Sequence, residues 1–313
     1  MSVVFEGLLP VFLIIGLGVF IKYIKLIPDE HWNGAERLSF FVLLPPLMIN
    51  ALYKADFTQI SFGGVSLAFL LGMTFTIVAG LAIRAPMKKL FAIDDPAYSS
   101  VFQGFTRWNP FIAMAVVEKL YGGPGITIAI LGMAVMTVPL NVVNVSVVGW
   151  LGKREGNPQP LLKTLMYNPI IIGTIIGLAL NFLAIKLYAP IEVTLELMAR
   201  ATLPVALILL GAGLKLRMPR NFFGAALFST FVRLMVGPLI IFTIGYWFGI
   251  RGNDLAAMAI CGGVPTAMSG YLLARQMGGD APLHAAITTM QTVLSFVTLY
   301  LVILAADYAL KIL

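Results

Sequence analysis

The sequence predicts an all-α membrane protein of ten transmembrane helices, arranged as a 5+5 inverted repeat in which helices four and nine are broken and cross. Three observations predict it. Of 313 residues 59% are hydrophobic and only 11% are charged, with a mean hydropathy of +0.94; soluble domains carry roughly 25% charged residues. Apolar runs recur along the whole chain, and at about 20 residues per crossing plus a short loop the length accommodates about ten of them. Runs such as Leu8 to Ile21 and Ile170 to Leu180 are apolar on all sides, whereas a transmembrane barrel alternates polar and apolar residues.

The spans are expected near residues 5–23, 37–53, 62–83, 97–119, 125–150, 166–187, 193–214, 222–248, 254–276 and 284–306. The first is expected to stay rather than be cleaved. It has no basic n-region, it carries Glu6, and it ends at Lys22 and Lys25 with no small-residue cleavage site. Orientation follows from the basic residues of the connections. Twelve lie in the odd connections: Lys22, Lys25, Arg84, Lys88, Lys89, Lys153, Arg154, Lys163, Lys215, Arg217, Arg220 and Arg275. Only five (Lys54, Lys119, Lys186, Arg251 and Lys311) lie in the even connections and the C-terminus. The split predicts cytoplasmic odd connections and extracytoplasmic termini, in a multi-pass protein of the plasma or inner membrane.

The net charge of +7 therefore reads as a topology signal. No basic patch of the kind nucleic acid needs is present. A single cysteine, Cys261, excludes an internal disulfide, and two distant histidines, His31 and His284, make no metal site. No cofactor is expected.

The two halves echo each other at an offset of about 155–160 residues. Leu44-Pro45-Pro46 in span two answers Leu203-Pro204 in span seven, and Asn109-Pro110 in span four answers Val264-Pro265 in span nine. Lys119-Leu-Tyr-Gly122-Gly123 closes span four as Arg275-Gln-Met-Gly278-Gly279 closes span nine. Each unit holds an odd number of spans, so the second enters the membrane from the opposite side. The expected divisions are residues 1–152, a short cytoplasmic connection 153–163, and residues 164–313. Inverted repeats are the architecture of secondary transporters, with the substrate held near the midplane at discontinuous helices.

Spans four and nine are the candidates for those breaks. A mid-helix proline removes a backbone hydrogen bond and clashes with the preceding turn, and the freed carbonyls are tolerated only inside protein or facing water. Polar and small residues surround both prolines: Gln103, Gly104, Thr106, Arg107 and Asn109 in one, Gly262, Gly263, Thr266, Ser269 and Gly270 in the other.

In order and spacing, five motifs resemble the auxin efflux carrier family, in particular its bacterial members known as malonate or malate permeases. They are Leu43-Leu44-Pro45, Asn109-Pro110, Asn168-Pro169, Arg233-Leu-x-x-x-Pro238 and Pro265-Thr266-Ala267. The resemblance covers the whole chain. It implies a fold related to bile-acid sodium symporters, crossing helices four and nine, and movement of organic anions by an elevator-type transition. Two features depart from plant auxin exporters: Phe111 stands where a second asparagine follows the crossover proline, and the central connection is only about Gly152 to Lys163. Cys261-Gly-Gly-Val-Pro-Thr266 replaces the acidic, glutamine-rich ninth-span motif of the sodium symporters.

A helix restarting after each proline would present unpaired N–H donors and about half a positive charge near the midplane, a place that binds carboxylates. Asn109 is suited to cap its own half-helix. Val264 is not, so the N–H groups of Thr266, Ala267 and Met268 are expected to stay open. Arg107 lies mid-span, where an arginine costs about 2.5–3.5 kcal/mol. No acidic residue shares its depth, since Glu118 and Glu196 lie near span ends and Glu6 and Asp307 towards the outer surface. Its partner is either an anionic substrate or the carbonyls freed by Pro110. Arg233 reads as structural, bonding carbonyls of a neighbouring helix, and Arg200 is open between the two roles. Trp108 either shapes the pocket or faces lipid. The expected substrate-binding residues are Arg107, Asn109, Pro110, Gly263, Pro265, Thr266 and Ser269. Asn50 in span two and Asn141 and Asn144 on one face of span five support them.

No Gly-x-x-x-x-Gly-Lys-Ser/Thr, no His-Glu-x-x-His, no nucleophile elbow and no pair of central carboxylates occurs. The chain is therefore expected to be a secondary carrier of small organic anions such as dicarboxylates and not an enzyme. The alternatives are a passive channel and a sodium-coupled symporter of the bile-acid type. The coupling ion is left open between H+ and Na+. The expected partners are the organic anion and the lipid bilayer, with a homodimer as the expected assembly and no nucleic acid.

Overall fold

The structure, a computed structural model, describes residues 2–55, 62–152, 169–214 and 222–312. The expected connection 153–163, Asn168 and the basic residues Lys215, Arg217 and Arg220 lie outside them. The described elements are all helical, with no strand among them. In order they are α1 (Ser2–Tyr23), α2 (Trp32–Leu38), a π-helical turn (Ser39–Leu43) and α3 (Leu44–Tyr53). Then come α4 (Phe62–Ala82), α5 (Arg84–Phe91), α6 (Asp95–Thr106), α7 (Pro110–Leu151), α8 (Pro169–Phe182) and α9 (Ala189–Gly213). Next are α10 (Phe223–Phe231), a second π turn (Val232–Val236) and α11 (Gly237–Trp247). The chain closes with α12 (Gly252–Gly263), α13 (Ser269–Met277) and α14 (Ala281–Ile312).

Among the described residues, seven helical stretches are long and apolar enough to cross a bilayer. The longest, residues 95–151, is interrupted twice: at 107–109, and at Gly122, whose φ of 64° and ψ of −145° divide α7 into two helices. The protein is a multi-pass membrane protein. Large apolar side chains such as Leu13, Phe20, Phe75, Ile175 and Leu197 face outwards, as lipid requires.

Lipid gives helices no hydrophobic reason to associate, so small residues that let backbones approach do much of the packing. α1 lies along α9, where a Cβ on Gly18 would strike the Ile208 carbonyl oxygen and one on Gly211 would strike that of Ile15. α3 lies along α8 in the same way, Gly173 facing the Pro45 carbonyl and Gly177 that of Ile49. α11 meets α12 through Gly237 and Gly262, each against the other's carbonyl oxygen.

The innermost segments are the polar ones. Every residue from Ala97 to Asn109 and from Leu255 to Thr266 is buried. A helix enclosed all round by protein can carry polar groups and a broken backbone that lipid would not tolerate.

Candidate functional site

Two interruptions of the helical path meet in the middle of the fold. The first follows α6. Arg107 leaves the helix at φ −73°, ψ 156°, and Pro110 starts α7 as its first residue. Proline disfavours a helical residue before it and is itself well placed at a first helical position, where its missing N–H is no loss. Asn109 completes the stop. Its side-chain oxygen accepts from Phe111 N at 3.1 Å and Ile112 N at 3.2 Å, the cap expected of it.

The second interruption is longer. α12 ends at Gly263 and Val264 is extended, with φ −72° and ψ 153°. Helix resumes only at Ser269, after Met268, which gives no side-chain cap. The expectation that Thr266 N–H would be open is corrected here: it donates to Gln291 Oε1 of α14 at 2.8 Å. Ala267, Met268 and Ser269 N–H have no protein acceptor among the described residues, whereas Gly270 N–H and Tyr271 N–H close onto the Ala267 and Met268 carbonyls.

The interruptions touch. Asn109 N–H donates to the Pro265 carbonyl at 2.7 Å, and Thr266 Oγ1 donates to the Gln103 carbonyl at 3.2 Å. Gln291, fully buried, uses both ends of its amide: it accepts from Thr266 N–H and donates to the Gly104 carbonyl at 2.9 Å. Arg233, from the π turn before α11, donates Nε to the Val264 carbonyl at 2.7 Å and Nη2 to the Cys261 carbonyl at 3.0 Å. Backbone groups freed by the breaks are thereby satisfied by side chains, as a low-dielectric interior demands. Both groups of Arg233 go to backbone, the structural role its position suggested.

Arg107 is different. It is buried, and all its partners are neutral side chains: Gln103 Oε1 at 3.1 Å, Asn141 Oδ1 at 3.2 Å and Ser269 Oγ at 3.4 Å. It therefore bonds none of the carbonyls freed by Pro110. Its Nη2 has no partner among the described residues, and none of the described ion pairs involves it or Arg233. Two buried cations thus stand at the crossing without a described carboxylate.

The remaining expected residues divide. Asn141 joins Arg107. Asn144, also buried, accepts from Thr106 Oγ1 at 3.2 Å and donates to Leu140 O at 2.8 Å, beneath the end of α6. Gly263 is the last residue of α12, packed towards Pro238. Asn50 is not brought to the crossing by any bond; it sits on α3 with its amide oxygen buried and unpartnered. Arg200 is not in the site either: three-quarters exposed, it pairs with Glu196 one turn away. Trp108 faces protein rather than lipid, stacked on Phe69 with ring centroids 6.5 Å apart.

Two contributors were missed, Gln291 and His284, both on the last helix and both fully buried. Their signal was present as a polar stripe at helical spacing, His284, Thr288, Gln291 and Ser295, within an apolar span.

Residues 158–303 match the family described as membrane transport protein. An uncharacterized transporter of Methanothermobacter thermautotrophicus is 24% identical over 298 residues, covering 94% of this chain and 95% of the relative. The uncharacterized transporter YfdV of Escherichia coli K12 is 25% identical over 279 residues, covering 85% and 86%. A third uncharacterized transporter, from Methanocaldococcus jannaschii, is 23% identical and covers 95% and 96%. Helices long and apolar enough to cross a bilayer, an interrupted pair joined at its centre and transporter relatives matched over nearly their full length lead to one conclusion: the chain is a membrane transporter, similar over residues 158–303 to the membrane transport protein family.

Proposed function

We propose that the protein is a secondary carrier of small organic anions such as dicarboxylates, moving them by elevator-type alternating access from a site at the crossing. Arg107 carries this reading. A buried guanidinium whose partners among the described residues are all neutral, and whose Nη2 has none there, is matched by a carboxylate, for which arginine offers planar, two-pronged geometry. The open N–H groups of residues 267–269 stand next to Ser269 Oγ, which Arg107 reaches. Asn109, Pro110, Pro265 and Thr266 shape the break, and Asn141 orients the guanidinium.

The carrier is read as two inverted five-helix units, 1–152 and 164–313, joined by a cytoplasmic connection at 153–163. The helix pairs support it. α1 with α9 is span one with span seven, and α3 with α8 is span two with span six, which are equivalent pairs once the units are exchanged. Gly122 and Gly278, the first glycines of the two matching motifs, both have positive φ, 64° and 76°. Both termini are placed outside the plasma or inner membrane. Impermeant thiol reagent reaching Asn157→Cys from outside intact Cys261→Ala cells would reverse that orientation.

Carbonyls of Cys261, Val264 and Gly104 are already occupied by Arg233 and Gln291, which leaves fewer oxygens for sodium and disfavours the bile-acid symporter alternative. The test is uptake of labelled malonate, malate and succinate into proteoliposomes. A carrier gives saturable uptake that is accelerated by unlabelled anion inside. Non-saturating flux without counterflow would make the protein a channel, and no flux of any of the three would remove small dicarboxylates from its substrates.

A further inference from the structure

A cavity of about 450 Å³ opens where α3 and α8 end and α9 begins, lined by Tyr53, Lys54, Asn181, Ile185, Lys186 and Glu192 among others. None of the residues that form the crossing lines it. Its volume is that of a small-ligand pocket. The three helices are apolar, so their neighbouring ends mark a membrane boundary. Hydrogen bonds fix its walls. Asn181 shares its amide N–H groups among the Leu52, Tyr53 and Ala55 carbonyls at 3.1, 2.8 and 2.8 Å, acceptors that a helix end leaves open. Ala184, at a left-handed φ of 50°, turns the chain after α8, and Leu187 N–H reaches Tyr53 Oη at 3.4 Å.

The charges at this cavity do not close among themselves. Lys54 Nζ stands between Glu196 at 3.0 Å and Glu192 at 3.3 Å, and Glu196 also pairs with Arg200. Two cations thus balance two carboxylates, and Lys186 is left over. It is exposed, and no ion pair among the described residues includes it. Glu192 meets Lys54 through Oε1 alone, which leaves its second oxygen to accept. Around these groups Phe182, Leu183, Ile185, Tyr188 and Ile191 are exposed, the kind of apolar rim with a tyrosine that lies where helices leave a bilayer.

An occupant that completes the cavity brings an anionic group to Lys186, an N–H cation to Glu192 and hydrocarbon to the rim. A free anion does only the first. A choline headgroup has no N–H to give, and a soluble amino acid brings both charges but leaves the rim untouched. We propose that the cavity binds an aminophospholipid such as phosphatidylethanolamine, its phosphate on Lys186, its ammonium on Glu192 and its chains along Phe182, Leu183 and Ile185. Basic pockets between membrane helices take lipid headgroups, and hydrogen bonds between charged groups are the strong ones. The lipid would hold together the ends of α3, α8 and α9.

The test is lipid binding to the delipidated full-length protein, followed by native mass spectrometry in mixed micelles containing dioleoyl phosphatidylethanolamine, phosphatidylcholine or phosphatidylglycerol. The ethanolamine lipid should bind about two- to fivefold more tightly than either other lipid, the scale of a half-exposed ion pair. Lys186→Gln should weaken all three alike, and Glu192→Gln should erase the preference for ethanolamine. Both variants should stay folded, since Lys186 has no described ion pair to lose and Lys54 keeps Glu196.

Equal binding of the ethanolamine and choline lipids, tighter binding of the glycerol lipid, or a preference that survives Glu192→Gln would overturn the proposal. So would binding of all three lipids that is unchanged in Lys186→Gln. Glycerophosphoethanolamine, the same headgroup without chains, separates a membrane lipid from a soluble ligand. It should not displace the lipid at equal concentration, and displacement there would overturn the lipid assignment. None of these outcomes bears on the anion reading of the crossing, which shares no residue with this cavity.

Discussion

The backbone N–H of Asn109 donates to the carbonyl oxygen of Pro265 across 2.7 Å, so the two helix interruptions are bonded to each other directly. Each proline denies its helix a backbone bond, and the groups released by one break are partly satisfied by the other. The crossing is a single polar unit built from distant parts of the chain.

Removing the reason for either interruption should therefore disable the site. Pro110→Ala and Pro265→Ala let the helical path run on and draw the open N–H groups into it. Both variants should remain folded, with a melting temperature near that of the wild type, and should lose anion uptake into proteoliposomes. Undiminished uptake in both would mean that the interruptions are not the site.

The two buried arginines should behave differently. If the proposed anion meets Arg107, Arg107→Gln should remove a charged hydrogen-bond donor from it, worth roughly 1.5–3 kcal/mol, or about 10- to 150-fold in affinity. Arg107→Lys should keep part of it, since charge remains while the planar fork is lost. Arg233→Gln strips the Cys261 and Val264 carbonyls of their donors and should lower yield and melting temperature without a selective loss of affinity. Calorimetry and thermal denaturation on the three variants separate the outcomes, and wild-type affinity in Arg107→Gln would remove that residue from the site.

Gln291 should be sensitive to its chemistry more than to its size. Gln291→Met leaves Thr266 N–H and the Gly104 carbonyl unpaired, at about 1–3 kcal/mol each, and should lower the melting temperature at every pH. Gln291→Glu still accepts from Thr266 N–H, but it can donate to Gly104 only when protonated. Its stability should approach that of wild type in acid and fall as rising pH ionises the carboxyl. Melting curves from pH 5 to pH 8 test this, and a flat profile for Gln291→Glu would mean that the amide does not hold the two breaks together.

The contact between α1 and α9 offers a paired control. A methyl group at Gly18 would enter the Ile208 carbonyl, which is backbone and cannot turn aside, while Gly16 has nothing within 4 Å. Gly18→Ala should destabilise by about 1–3 kcal/mol, as overpacking does. Gly16→Ala should be close to neutral. Equal melting temperatures for the two would show that α1 does not approach α9 this closely.

Much of this was legible in the sequence, for local reasons. Pro110 and Pro265 each stop a helix by themselves, Asn109 is an evident cap, and a central arginine such as Arg233 must find acceptors nearby. Glu196 stands four residues before Arg200, so their pairing on the exposed face was also within reach. What could not be read depended on contacts between distant residues. The second interruption runs to Ser269 because Arg233 and Gln291 hold it open, and nothing between Val264 and Met268 announces that length. Gln291 is 187 residues from Gly104, and hydropathy reports only that a polar side chain interrupts an apolar span. Asn50 lies on α3, which packs chiefly against α8 and α9, a placement that its residue type does not announce.

The two interruptions are also secured by different means, and this bears on how the chain is made. The first is terminated by its own residues, with Asn109 closing the helix that it begins, so it can take shape as soon as that segment leaves the ribosome. The second has no cap of its own and takes its shape from Arg233, already synthesised, and from Gln291, which emerges only with the last helix. Until α14 has entered the bilayer, the Thr266 N–H lacks its Gln291 acceptor and the second interruption has less reason to stay open. Biogenesis of the transporter thus ends with the step that completes its centre, and a chain released before that step carries the first half of a site without the second.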